Sequence, residues 1–177
     1  GFSNKSHGRR SDWAGLDRLW GPEYAARNAL EAHRPIPPAF TGAAPTQMRC
    51  LAHALESLHD HGWMHHIQRL MILGNLALLV GVEPQAMTRW MWAGFVDGAE
   101  WVMVPNVVGM ALHADGGRMA TKPYAAGGAY IDRMSDYSQG CRFGAKQRTG
   151  GGAGPFPPVH WDFTPRPRSE ARGLAEH

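Results

Sequence analysis

The sequence predicts an all-α fold, and three observations predict it. Apolar residues between positions 46 and 95 recur at the spacing of a helix face. Glycine and proline stand where helices would start and stop rather than inside them. No β-hairpin signal, internal repeat or P-loop is present.

The elements follow in order. Residues 1–19 are polar and weakly periodic and are expected to be poorly ordered. Trp20-Gly21-Pro22 opens a short helical stretch over residues 23–32, which Pro35, Pro37 and Pro38 end with an extended connector. Thr46 is placed to cap a helix running toward His59, with Leu51, Ala54, Leu55 and Leu58 on one face. Gly62 marks the break. Residues 64–80 are apolar nearly all round, with Ile67, Leu70, Met71 and Leu78, so this helix should be central, with Gly81 as its terminator. Pro84 suits the first turn of a helix over residues 85–95. Residues 97–112 should form shorter helical pieces broken at Pro105. Asp115-Gly116-Gly117 reads as a turn. Residues 128–137 read as a helix that ends near Gly140, and residues 144–158 as Gly/Pro-rich coil. Three regions result: an N-terminal segment 1–19, a helical unit 20–141 and a basic coil tail 142–177.

Composition narrows the class. The chain has 177 residues, 44% hydrophobic and 19% charged, which suffices for one domain with a sizeable core. The net charge is +3, and residues 1–141 hold 12 Lys/Arg against 12 Asp/Glu, so the excess lies in the tail. Such an excess permits nucleic-acid binding without requiring it. Two cysteines, Cys50 and Cys141, fit no CxxC spacing, and a reducing, cytoplasmic setting is the simpler reading. No signal segment opens the sequence. The longest apolar run, residues 70–82, is interrupted by Gly74, Asn75 and Gly81 and is too short for a bilayer, which takes about 20 residues.

Chemistry concentrates between Trp63 and Cys141. His65 and His66 precede Arg69 by four and three residues, so Arg69 lies beside both on the helix surface. A histidine at a pocket edge exchanges protons near neutral pH. For the bare pair, hydrogen-bonded core histidines are the favoured reading. Arg69 needs an anionic partner, for which Asp97, Asp115 and a bound anionic cofactor compete. His61 and His65 have an i, i+4 metal spacing, but Gly62 lies between them and no third ligand follows. Asp115-Gly116-Gly117 lets backbone approach a ligand closely. Lys122 and Tyr124 flank Pro123, where a phosphate and a base could be met together; a solvated lysine and a half-buried tyrosine fit as well. Trp63, Trp90, Trp92 and Trp101 are expected in the helical core, as filler or as an electron relay.

Together, these segments resemble the iron–sulfur bacterial cryptochrome/photolyase family, the prokaryotic (6-4) photolyase group. The likeness runs from Trp20-Gly21-Pro22-Glu23-Tyr24 through Met48-Arg49-Cys50-Leu51 to Trp161-Asp162-Phe163. It covers most of this chain but only the C-terminal part of such a protein. The resemblance implies an incomplete C-terminal helical FAD-binding domain that acts on damaged DNA as a monomer. It implies His65 and His66 as the catalytic pair, the second protonating a (6-4) lesion after light-excited reduced FAD has given it an electron. Arg69, Asn106, Met110, Asp115, Gly116 and Gly117 fall on the family's flavin-pocket stretch. Lys122 and Tyr124 fall in its lesion-facing loop, and Trp90 on its electron-transfer chain.

Departures from the family pattern carry their own expectations. The family holds a [4Fe–4S] cluster on four cysteines, and such clusters need four thiolates or close substitutes. Cys50 and Cys141 match two of them as remnant ligands. Ser138 and Gly154 stand at the other two, so the cluster is expected to be lost. Met91 replaces a tyrosine and Gly42 falls near a missing tryptophan, which thins the relay. A photosensory flavoprotein without repair, and a non-catalytic remnant, are the alternative readings.

Overall fold

The computed structural model describes residues 21–147, 149–154 and 156. Helices dominate, and the only strand-like pairings among the described residues are isolated bridges, Arg34 with Val82 and Gly144 with Ala153. The expected poor order of residues 1–19, the Trp161-Asp162-Phe163 likeness and most of the basic tail lie outside the described residues.

Helix α1 is Pro22–Ala25, with Pro22 in its first turn and Tyr24 buried. The expected continuation to residue 32 is absent. Asn28 instead folds the chain back by gripping both backbone groups of Ala32, donating 2.8 Å to its carbonyl and accepting 2.9 Å from its N–H. Glu31 then takes a left-handed φ of 52°. An asparagine that satisfies nearby backbone groups competes with helix propagation, which explains the early stop.

Helix α2 is Arg49–His61 and buries Cys50, Leu51 and Ala54. Thr46 does not cap it from the expected position: its hydroxyl accepts from Met48 N at 3.2 Å, one step before the helix. Gly62 closes α2 in the left-handed region at φ 60°, where a side chain would be strained.

Helix α3, residues 66–80, is the central one. It starts as His66–Gln68, widens to a π-helix over Arg69–Gly74, and returns to α geometry over Asn75–Val80. Residues 70–79 are all buried, as a run apolar except at Gly74 and Asn75 leads one to expect. Gly81 ends α3 at φ 77°. Helix α4 is Pro84–Gly94. Helix α5, residues 100–111, is Glu100–Val104 followed by a second π-helix, Pro105–Ala111. Pro105 therefore does not break this element as expected. It stands where the α segment passes into the π segment, whose wider winding shows in the Leu112 N–H bond to Val107 O at 2.9 Å. Helix α6 is Gly128–Met134.

The two π segments pack on each other, with α2 against the first and α1 and α4 against the second. Their crossing is tight at Gly74, where an added Cβ would lie 2.9 Å from Ala111 Cβ. Asn75, fully buried, binds both backbone groups of Ala126 at 2.8 and 2.9 Å and so fixes the strap that leads into α6. The described residues contain no helix long and apolar enough to cross a membrane.

Candidate functional site

The start of α3 sets the geometry of the histidine pair. His65 is the N-cap: its Nδ1 accepts from Ile67 N at 3.2 Å, and the Gln68 side chain accepts from His65 N at 3.3 Å. This reciprocal box spends one ring nitrogen on the helix end, which leaves Nε2 to carry the proton of the neutral ring. His66 is exposed and stands at the rim of a hollow of ≈ 50 Å³. The reading of both residues as core histidines is excluded by their exposure. His61 turns back onto Ser57 O within α2. No group of three or more His, Cys, Asp or Glu among the described residues is arranged to hold a metal.

Asp97 is the anion that pairs with Arg69. The guanidinium donates to both carboxylate oxygens at 2.8 Å, while its Nε donates to Met64 O at 2.8 Å. The same group lies 4.2 Å over the Phe95 ring. The Arg69 hydrogen bonds hold the Asp97 carboxyl below its usual range. Arg69 thus ties α3 to the loop between α4 and α5. The hollow it shares with His66 has apolar walls of Leu70, Met91, Met103 and Val107, with Asn106 beside them. Asn106 donates its amide to Val102 O at 2.8 Å, inside its own helix.

Asp115 forms a separate centre. It is 2% exposed. It accepts from Tyr24 Oη at 2.8 Å, Gly117 N at 2.9 Å and Met119 N at 2.8 Å. Burial first, and the Asp115 carboxylate second, push the Tyr24 phenol well above its ordinary value. Gly116 and Gly117 follow at φ 73° and 92°, the left-handed geometry that the Asp-Gly-Gly turn requires. Met110 is half-buried, and Lys122 and Tyr124 are exposed on the following loop.

The expected tryptophan core is corrected. Trp63, Trp92 and Trp101 are 49%, 52% and 66% exposed. Trp90 alone of the four is inside, half-buried against Phe40 at 5.0 Å and Phe95 at 6.5 Å between ring centroids. The Phe40 pair binds α4 to the connector before α2, and the Phe95 pair packs the end of α4 on itself.

A flat aromatic group would suit the apolar wall beside His66 and Asn106. At ≈ 50 Å³ the hollow is far below the roughly 300–1,000 Å³ of small-molecule sites. The described residues thus form one open face there and not an enclosure. The four positions that the resemblance assigns to cluster ligands do converge: Cys50, Ser138, Cys141 and Gly154 line one cavity of ≈ 50 Å³. Their chemistry does not fit a four-thiolate cluster. Gly154 has no side chain, and a Cβ there would lie 3.0 Å from Phe143 Cβ.

A larger hollow of ≈ 310 Å³ lies elsewhere, among Asn28, Glu31, Arg34, Leu78 and Val82. The helical period of residues 23–32 conceals it, because the hollow exists only where the chain abandons that helix. Asn28 was the available signal.

No protein-family model matches the chain. The chain is 44% identical over 172 residues, 97% of its length, to a (6-4) photolyase from Agrobacterium fabrum, and spans 34% of that protein. It is also 36% identical over 66 residues, 37% of its length, to an uncharacterized protein of Acanthamoeba polyphaga mimivirus, of which it spans 54%.

Proposed function

We propose, from the chain's membership of the photolyase family along the stretch shared with the Agrobacterium fabrum protein, that it supplies the histidine-bearing face of a light-driven DNA repair site. The supporting observation is the placement of His66: exposed, at the rim of an apolar wall, on the first turn of the central helix. In this reading bound FAD would supply the light-driven electron-transfer chemistry directed at a (6-4) photoproduct.

The chain's own residues do the rest. His66 delivers a proton from its imidazole to the lesion. His65 acts as a positioning residue, because its Nδ1 bond to Ile67 N fixes where α3 begins and hence where His66 points. Arg69 holds the wall rather than the cofactor, since Asp97 already takes both ends of its fork. Asp115 acts likewise through the turn at Gly116 and Gly117. Exposed Lys122 and Tyr124 give the damaged strand a phosphate contact and a stacking surface. Trp90 is the relay indole, with Phe40 and Phe95 rather than further indoles as its ring partners.

A chimera tests this reading. The chain replaces the matching stretch of the Agrobacterium fabrum photolyase, and blue-light repair of an oligonucleotide carrying a (6-4) lesion is measured. Repair should survive in the chimera, and His66→Asn should abolish it while flavin absorbance is kept. A chimera that keeps its flavin, photoreduces it and repairs nothing would favour the photosensory reading. One that binds no flavin would favour the remnant.

A further inference from the structure

The cavity that cannot hold four thiolates is nonetheless lined with sulfur. Met48, Cys50 and Cys141 all face it, and Ile131, Phe143 and Phe156 close its other sides. Two clamps hold the facing segments in register. Arg49 Nη1 donates to Gln139 O, and Arg142 Nη1 donates to Gln47 Oε1 at 2.6 Å. Residues on either side of Met48 are thereby fixed to residues on either side of Cys141. Both thiols are free, and Cys141 contributes to raising the Cys50 thiol, behind the larger effect of burial.

Ligand chemistry narrows the occupant. Calcium and magnesium need six or more oxygen donors, or a water-filled octahedron. Structural zinc needs four donors of nitrogen, sulfur or carboxylate type. The residues lining the cavity carry no carboxylate or imidazole; they carry two thiols, a thioether, the Ser138 hydroxyl and the Tyr137 phenol, which is bonded to Gln68 at 2.9 Å. Soft sulfur donors select soft ions such as Cu(I), and a low-coordinate monovalent ion is complete with two or three of them.

We propose that Cys50, Cys141 and Met48 form a site for one thiophilic monovalent cation of the Cu(I) or Ag(I) class. Each thiol gives up its proton as its sulfur binds, so one ion enters, two protons leave and no electron moves. The bound bis-thiolate carries one net negative charge. Arg49 and Arg142 each adjoin a ligand in the chain.

Silver(I) tests the site without a redox complication. The full chain, with thiols reduced and small-molecule thiol removed, is titrated with Ag(I) against a chromogenic silver chelator. Bound metal is counted by native mass spectrometry. One ion per chain is expected, with both cysteines protected from alkylation. Cys141→Ser and Cys50→Ala should each weaken binding at least about tenfold, and Met48→Leu by a few-fold, in line with the loss of one ligand. Ser138→Ala should leave it unchanged. Cys141 is half-buried, so its variant keeps the test open if Cys50→Ala misfolds. Equal binding by wild type and Cys141→Ser would overturn the proposal, as would more than one ion per chain. An iron- and sulfide-loaded wild-type chain with acid-labile sulfide would overturn it too, by showing that a cluster forms here after all.

Discussion

Around Asp115 the polar groups turn inward. The carboxylate takes a phenol from α1 and two backbone N–H groups from its own turn, and it is sealed from water. Around His66 they turn outward. His65 caps a helix with one nitrogen, and His66 and Ile67 face solvent at the edge of an apolar wall. Both stretches look alike in the sequence, as polar residues set in apolar helix. The difference teaches that polar density marks two distinct things here. One is a network that holds α1 to the turn after α5, and the other is a surface made ready for something else.

The largest expected effect sets the first test of that contrast. Asp115→Ala strands Tyr24 Oη and two N–H groups and should cost about 3 kcal/mol in urea unfolding. A cost no larger than that of His66→Ala would erase the distinction. Next, Gly74→Ala forces a methyl against Ala111 at the crossing of the π segments and should cost about 2 kcal/mol, measured the same way.

Asp97→Asn sharpens the boundary between the two regions and should cost about 1 kcal/mol at neutral pH. The Asp97 carboxyl is held low by Arg69. Its contribution is therefore present above the unfolded carboxyl value, near about 4, and is lost as pH falls through the lower folded value. An acid unfolding series should show the wild type and Asp97→Asn converging at low pH. The smallest effects belong to the histidines. His65→Ala should cost roughly 0.5–1 kcal/mol as a lost cap, and His66→Ala less than about 0.5 kcal/mol, while removing repair in the chimera.

Helix terminators were legible because they are local: Gly62 and Gly81 adopt the left-handed geometry that their positions suggest. The burial of residues 70–79 was legible because no polar face exists there to argue for exposure. Residues 23–32 misled because a side chain four residues away, Asn28, competes for backbone groups that periodicity assumes are committed to a helix. The partner of Arg69 could be narrowed to Asp97 or Asp115 but not chosen, since the choice depends on how the α4–α5 loop folds back. Tryptophan content suggested a core, yet Trp63, Trp92 and Trp101 remain exposed. The convergence of Cys50, Ser138, Cys141 and Gly154 came from the likeness to a family, not from spacing, which links positions 104 residues apart only through a fold.

The π winding of α3 stores one extra residue inside the helix. A π turn carries one residue more than the α turn it replaces. Removing one residue from 69–74 would let that turn relax to ordinary α winding, with the segments on either side kept in register. Asn75 would still reach Ala126 and anchor the strap to α6. A second removal finds no extra residue to absorb it and would turn Asn75 about the helix axis by about 100°, away from Ala126. Relatives of this chain should therefore differ by at most one residue between His66 and Asn75, trading the π turn for an α turn.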